Sequence, residues 1–193
     1  MSNATKKEAL SPSIALKPLK KDWWAEILEW AETLTFSLAV VITIFSFIFK
    51  LVMVDGSSMS PTMHDNDRVI VEHIFYQPKQ GDIVVVIKPE TNNNKPLIKR
   101  IVAVEGQTVD IDFRAGVVYV DGKPLKEPYL KEPTYKAGRL AFPYTVEPGS
   151  VFVMGDNRNN SMDSREFGSV EKTSILGRAM FRIFPFTDIG TVK

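Results

Sequence analysis

The chain has 193 residues, enough for one domain with an appendage or an insertion. Its 44% hydrophobic and 24% charged residues describe an ordered globular protein, and a net charge of +1 gives no sign of a nucleic-acid surface. With no cysteine there is no disulfide, thiolate zinc site or cysteine nucleophile, and two histidines, His64 and His73, are too few for a three-histidine zinc site.

Residues 1–29 read as a polar cytoplasmic tail running into the start of an interfacial helix, with Trp23, Trp24 and Trp30 at the expected interface depth. Residues 30–54 read as one transmembrane anchor. Leu34 to Phe49 holds no charge, but sixteen residues cover only about 24 Å at ~1.5 Å each. Leu51 to Val54 make up the length if the Lys50 ammonium reaches toward the near interface. Lys6, Lys7, Lys17, Lys20 and Lys21 precede the span and place the N-terminus on the cytoplasmic side. A buried core helix, a cleaved signal peptide and an interfacial helix are the alternatives. The late start of the run, the absence of a small-residue cleavage site and its all-round apolarity weigh against the last two.

Beyond the span the pattern turns to strands. Arg68–Ile74, Asp82–Ile87, Leu97–Val104, Thr108–Ile111, Val117–Val120, Val151–Met154 and Ala179–Phe184 are short, apolar or alternating, and bounded by Gly, Pro and Asn. Asp121-Gly122 is a hairpin-turn signal. The expectation is a mainly β, antiparallel domain formed by residues 55–105 and 150–193, with an inserted β subdomain at 106–149 that holds Pro124, Pro128, Pro133 and Pro143.

Three segments carry chemistry. Ser58 lies in Gly56-Ser57-Ser58-Met59-Ser60-Pro61-Thr62, four residues after Val54, and a serine hydroxyl needs a base before it attacks. His64 sits in a polar loop and reads as a surface residue. Lys99 is embedded in the apolar strand Leu97–Val104, and burial would lower its pKa toward neutrality. Alternation lets at most one of Lys99 and Arg100 point inward; an edge strand with two solvated cations is the plain alternative. Gly155 to Arg165 packs two aspartates, two arginines, two serines and three asparagines behind a buried-looking strand, which suits a loop that orients its neighbours. Its arginines argue against calcium, and a solvated turn is the rival reading.

Together these segments, in this order behind one span, resemble the bacterial type I signal peptidases, membrane-anchored serine proteases with a Ser–Lys dyad. The resemblance covers roughly residues 30 to 184. It implies Ser58 as nucleophile, Lys99 as general base, Ser161 as the serine that orients the lysine, Asp163 and Arg165 as an ion pair holding the loop, and Met59 as packing on the lysine. The Ser58 main-chain N–H is implied as oxyanion donor. Some members carry a serine two residues before the nucleophile as second donor; here Gly56 offers only its backbone, and Ser57 is out of register. No metal or cofactor is implied. The implied substrates are secretory preproteins cut after small-x-small sites, delivered by the Sec or Tat export machinery. The implied location is the inner (plasma) membrane, with the catalytic domain on the extracytoplasmic side. Phe75-Tyr76 and Phe184-Pro185-Phe186 are candidates for dipping into lipid, or for ordinary core. A self-cleaving repressor-type Ser–Lys peptidase and a non-catalytic membrane-anchored β-module are the remaining alternatives.

Overall fold

The computed structural model describes residues 23–72, 74, 76–87 and 95–192. The lysine-bearing tail, His73, Phe75 and most of the asparagine-rich loop lie outside the described residues. Helix α1, Trp23–Ile48, has 26 residues and buries none of them. At ~1.5 Å per residue it measures about 39 Å, more than a ~30 Å hydrocarbon core needs. It is the one helix among the described residues long and apolar enough to cross a membrane. Within it Thr33, Thr35 and Ser46 turn their hydroxyls back onto the carbonyls of Glu29, Ala31 and Ile42 at 2.9, 2.7 and 2.8 Å, which satisfies them without water.

The helix stops earlier than the 30–54 anchor expected from sequence. Strand β1, Phe49–Met53, pairs antiparallel with β2, Arg68–Glu72, with Phe49 opposite Glu72 and Met53 opposite Arg68. Lys50 therefore belongs to a sheet, exposed, and has no need to reach out of a span. A charge followed by alternation and β-branched Val52 and Val54 favours pairing with β2 over another helical turn. The helix instead starts earlier, at Trp23.

The remaining strands are β3 Ile83–Val86, β4 Leu97–Val104, β5 Thr108–Asp112, β6 Val117–Val120, β7 Lys123–Pro124, β8 Tyr144–Thr145, β9 Ser150–Met154, β10 Val170–Glu171, β11 Ile175–Phe184 and β12 Gly190–Thr191. One sheet runs β1-β2-β11-β3-β4-β9-β10, with β12 on β11; a second runs β7-β6-β5-β8. All described pairings are antiparallel. The near-continuous apolar runs of β3 and β9 are buried along their whole length, as strands covered on both faces must be. Asp121 and Gly122, at φ 51° and 73°, make the two-residue turn between β6 and β7.

The second sheet, built from the insertion, does not have a core to itself. Val109, Ile111, Val118, Val120 and Val146 pack with Val102 and Ala103 of β4 and Phe152 and Met154 of β9. Each of these side chains larger than alanine contributes about 1.5–3 kcal/mol when buried. The insertion thus covers one side of the two strands that carry the candidate site.

That cover corrects the alternation argument for β4. The strand is interior, between β3 and β9, and Lys99 and Arg100 are both buried, at 2% and 3% exposure. Alternation still sends them to opposite faces, but neither face meets solvent. Arg100 ends beneath the Tyr129 ring of the insertion, 3.8 Å from its centroid.

Candidate active site

Two registers assemble the site. Val84 faces Lys99 across β3–β4, and Arg100 faces Met154 across β4–β9. The chain leaving β9 at Gly155 therefore starts beside Lys99. A Cβ at Gly155 would lie 2.3 Å from Ser161 Oγ and 2.5 Å from the Ser58 carbonyl oxygen, so only glycine allows this approach.

Ser58 is half-buried in a turn between β1 and β2. Lys99 Nζ donates to Ser58 Oγ at 2.7 Å and to the Ile98 carbonyl at 2.9 Å. Burial pushes the Lys99 ammonium down from its ordinary 10.5 to about 8; Asp163 and Asp156 pull it back up, and Arg165 pushes it down. That shift raises the neutral fraction at pH 7 from about one in 3,000 to about one in 10. A half-buried hydroxyl hydrogen-bonded to a desolvated amine is the arrangement a serine nucleophile with a lysine base requires.

The loop from Gly155 to Arg165 holds the Ser58 turn. Asn157 N–H donates to the Ser58 carbonyl at 3.0 Å, the Asn157 amide to the Ser57 carbonyl at 3.1 Å, and the Asn160 amide to Ser57 Oγ at 3.1 Å. Asp156, fully buried, takes both arms of Arg100 at 2.8 and 2.7 Å and accepts from Thr62 Oγ1 at 2.5 Å. One carboxylate thus ties the strand of Lys99 to the turn of Ser58. Asp163 accepts from Arg165 Nε and Nη2, both at 2.8 Å, and from Gly155 N–H at 3.0 Å. It also caps the short helix α2, Ser164–Phe167. Burial alone would push the Asp163 carboxyl up; the Arg165 guanidinium and the Gly155 N–H outweigh it and hold the carboxyl below the usual range.

Met59 is buried in a cluster with Ile98, Val54, Met63 and Val85, alongside the strand of Lys99. Ser161 is buried against Gly155 and lies near enough to Asp163 to help keep that carboxylate ionised. Among the described residues its hydroxyl makes no hydrogen bond of ordinary geometry, to Lys99 or to anything else. The Gly56 N–H, at φ 87°, donates to Asp65 Oδ1 at 2.8 Å. It is committed there and is not presented to a substrate. His64 is exposed.

Sequence reasoning did not single out Asp156, Thr62 or Asn157. Arg100 held the available signal for the first: a guanidinium inside an apolar strand needs a carboxylate, and the 155–165 loop had two to offer.

The family model described as signal peptidase, peptidase S26, matches residues 27–184. A probable signal peptidase I-1 from Synechocystis is 38% identical over 177 residues, 86% of this chain and 87% of that protein. Signal peptidase I T of Bacillus subtilis is 36% identical over 177 residues, 86% of this chain and 90% of its own length. Signal peptidase I of Bacillus licheniformis is 34% identical over 174 residues, 84% and 91%. A crystal structure of a signal peptidase I from Enterococcus faecalis aligns with a TM-score of 0.45 at 30% identity, over 53% of this chain and 97% of that one.

Proposed function

This chain belongs to the signal peptidase family, peptidase S26, and we propose that within it Ser58 is the nucleophile and Lys99 the general base. The activity is that of a signal peptidase I, a membrane-anchored serine endopeptidase that removes signal peptides from secretory preproteins. The single observation that carries the residue roles is the 2.7 Å contact between Ser58 Oγ and the amine of the buried Lys99.

In the reaction, neutral Lys99 takes the Ser58 hydroxyl proton as Oγ attacks the scissile carbonyl. The tetrahedral oxyanion is met by the Ser58 N–H, a donor worth on the order of 10²–10³ in rate. Protonated Lys99 then passes its proton to the leaving amine, the new N-terminus of the mature protein, and Ser58 keeps the signal peptide as an ester. Water deprotonated by Lys99 hydrolyses that ester and frees Ser58.

If Lys99 is the base, kcat/KM rises with pH through an apparent pKa near the depressed value of about 8. The measurement is preprotein cleavage by the detergent-solubilised chain from pH 6 to 11. A rate still climbing through the ordinary lysine range near 10.5 overturns the assignment.

We further propose that the N-terminus is cytoplasmic and that residues beyond the span lie outside the plasma membrane, downstream of the Sec or Tat machinery. The five lysines before the span support this. Leu51, Met53, Phe186 and Ile189, more than half exposed, offer an apolar surface to the lipid; Tyr76 instead turns its hydroxyl to Asp82 at 2.8 Å. Since the chain has no cysteine, Ser13→Cys and Lys131→Cys report orientation directly. A membrane-impermeant maleimide added to spheroplasts should label the second and not the first; the reverse pattern means the opposite topology.

A further inference from the structure

The mechanism above leaves one buried ion pair without a task. Arg158 is fully buried, and its guanidinium is used all round: Nε donates to the Gly155 carbonyl at 3.0 Å, and Nη1 to Thr134 Oγ1 at 3.0 Å and to Glu127 Oε2 at 3.1 Å. Nη2 closes on Glu127 Oε1. Glu127 and Thr134 come from the insertion, and the Glu127 side chain is only 7% exposed. Tyr129 links this pair to the next one: its hydroxyl donates to Glu127 Oε1 at 3.1 Å while its ring covers Arg100.

The same stretch of the insertion lies along the whole catalytic loop. Asn159 Oδ1 accepts from the N–H groups of Tyr135 and Lys136, both at 3.0 Å, and Arg165 Nη1 donates to the Lys136 carbonyl at 2.8 Å. Leu140 N–H reaches the Arg165 carbonyl at 2.9 Å. The loop is therefore bonded both to the insertion and to the Ser58 turn. Arg158 is the side chain that reads both: its Nε bond fixes Gly155, and the turn it closes presents the Asn157 N–H that holds the Ser58 carbonyl.

We propose that Glu127 is a positioning residue for the catalytic pair, acting through Arg158 to fix the 155–158 turn and so the placement of Ser58 against Lys99. The assignment rests on the Ser58–Lys99 reading. A carboxylate is needed there because a buried guanidinium stripped of its partner is a costly uncompensated charge, and the buried carboxylates of the same loop, Asp156 and Asp163, are already engaged with Arg100 and Arg165.

The test uses the full chain in detergent and a preprotein substrate. Glu127→Gln keeps the side-chain volume and removes the charge. Its kcat should fall by roughly 10–100-fold, as expected for a sub-ångström to ångström misplacement of reacting atoms, with KM nearly unchanged. The acid limb of its pH profile should also move to lower pH. The charged groups acting on Lys99 are Asp163, Asp156 and Arg165, and an uncompensated Arg158 adds a positive charge that disfavours the ammonium. Glu127→Asp should restore the limb and part of kcat. A folded Glu127→Gln enzyme with wild-type kcat overturns the proposal.

A double variant, Glu127→Leu with Arg158→Met, separates positioning from mere stability. Apolar replacement of a buried pair should keep the thermal midpoint. It lacks the bond to Gly155, so kcat should stay low. Recovery of kcat together with the midpoint, or failure of both variants to fold, makes the pair structural and overturns the positioning role. Activity retained by Lys99→Ala would instead sink the dyad, whatever Glu127 variants do.

Discussion

Lys99→Ala should lose preprotein cleavage by at least about 10⁴-fold in kcat/KM while the fold persists. A general base contributes ~10²–10⁴ by itself, and a nucleophile left without its base loses the covalent route as well. Lys99 is a lone buried amine, so its removal strands no opposite charge. Lys99→Met, which keeps the aliphatic stem against its apolar neighbours, should show the same loss with a thermal midpoint near that of the parent chain. Ser58→Ala should be equally inactive. The combined Ser58→Ala and Lys99→Ala variant should be no worse than either alone, because groups that act as one unit are not additive. Retained cleavage by Lys99→Met would end the dyad reading; a double variant markedly below both singles would mean that each residue acts independently.

The reason Lys99 can be a base lies in how charge is distributed around it. Four cationic side chains, Lys99, Arg100, Arg158 and Arg165, are buried within one cluster. Three carboxylates answer them: Asp156 pairs with Arg100, Glu127 with Arg158, and Asp163 with Arg165. Guanidinium groups cannot be deprotonated in proteins, and their planar forks match carboxylates two bonds at a time. The amine is thus the member of the set left without an ion pair among the described residues, and the one able to shed its proton. Desolvation is the largest influence on Lys99 and lowers its pKa. A fourth carboxylate at ion-pair distance would hold the ammonium and silence the enzyme.

This distribution also marks the limit of what could be read from residues in order. Lys99 stood out because a lysine inside an apolar strand is rare, and Ser58 because of where it leaves the span; their meeting at 2.7 Å follows once β4 pairs with β3 and β9. The apolar runs of β3, β4 and β9 were legible for the same reason that they are central: both faces are covered. What alternation could not reveal is the cover itself. Arg100 is paired with a residue 56 positions away, and Arg158 with one 31 positions away in the proline-rich segment read as an insertion. The helix ends at Ile48, before the apolar run does, and apolarity alone is common to a long helix and to an edge strand. Only the partner strand, Arg68–Glu72, decides that Phe49–Met53 is the second.

Asp163→Asn should uncouple the two things that Asp163 does. Asparagine keeps the shape and the oxygen that accepts from Gly155, but Arg165 is then a buried guanidinium with no countercharge. Breaking a buried pair from one side costs about 3–5 kcal/mol, enough to lower the thermal midpoint by roughly 10 °C. The pH dependence follows from the sign of the shift. Asp163 is held below the usual carboxylate range, so its stabilisation is present above the unfolded value near 3.9 and is lost as pH falls through the lower folded value. The Asp163→Asn chain should lack that part of the acid destabilisation seen in the parent. Activity should shift in the opposite sense to stability. The Asp163 carboxylate favours the Lys99 ammonium, so its removal makes the amine easier to deprotonate, and the acid limb of whatever cleavage remains should lie below about 8. Thermal unfolding between pH 3 and 8, and cleavage between pH 6 and 9 at a temperature where the variant is folded, measure both. An acid limb that stays where it is in the parent would mean that Asp163 only holds the loop and exerts no field on the base.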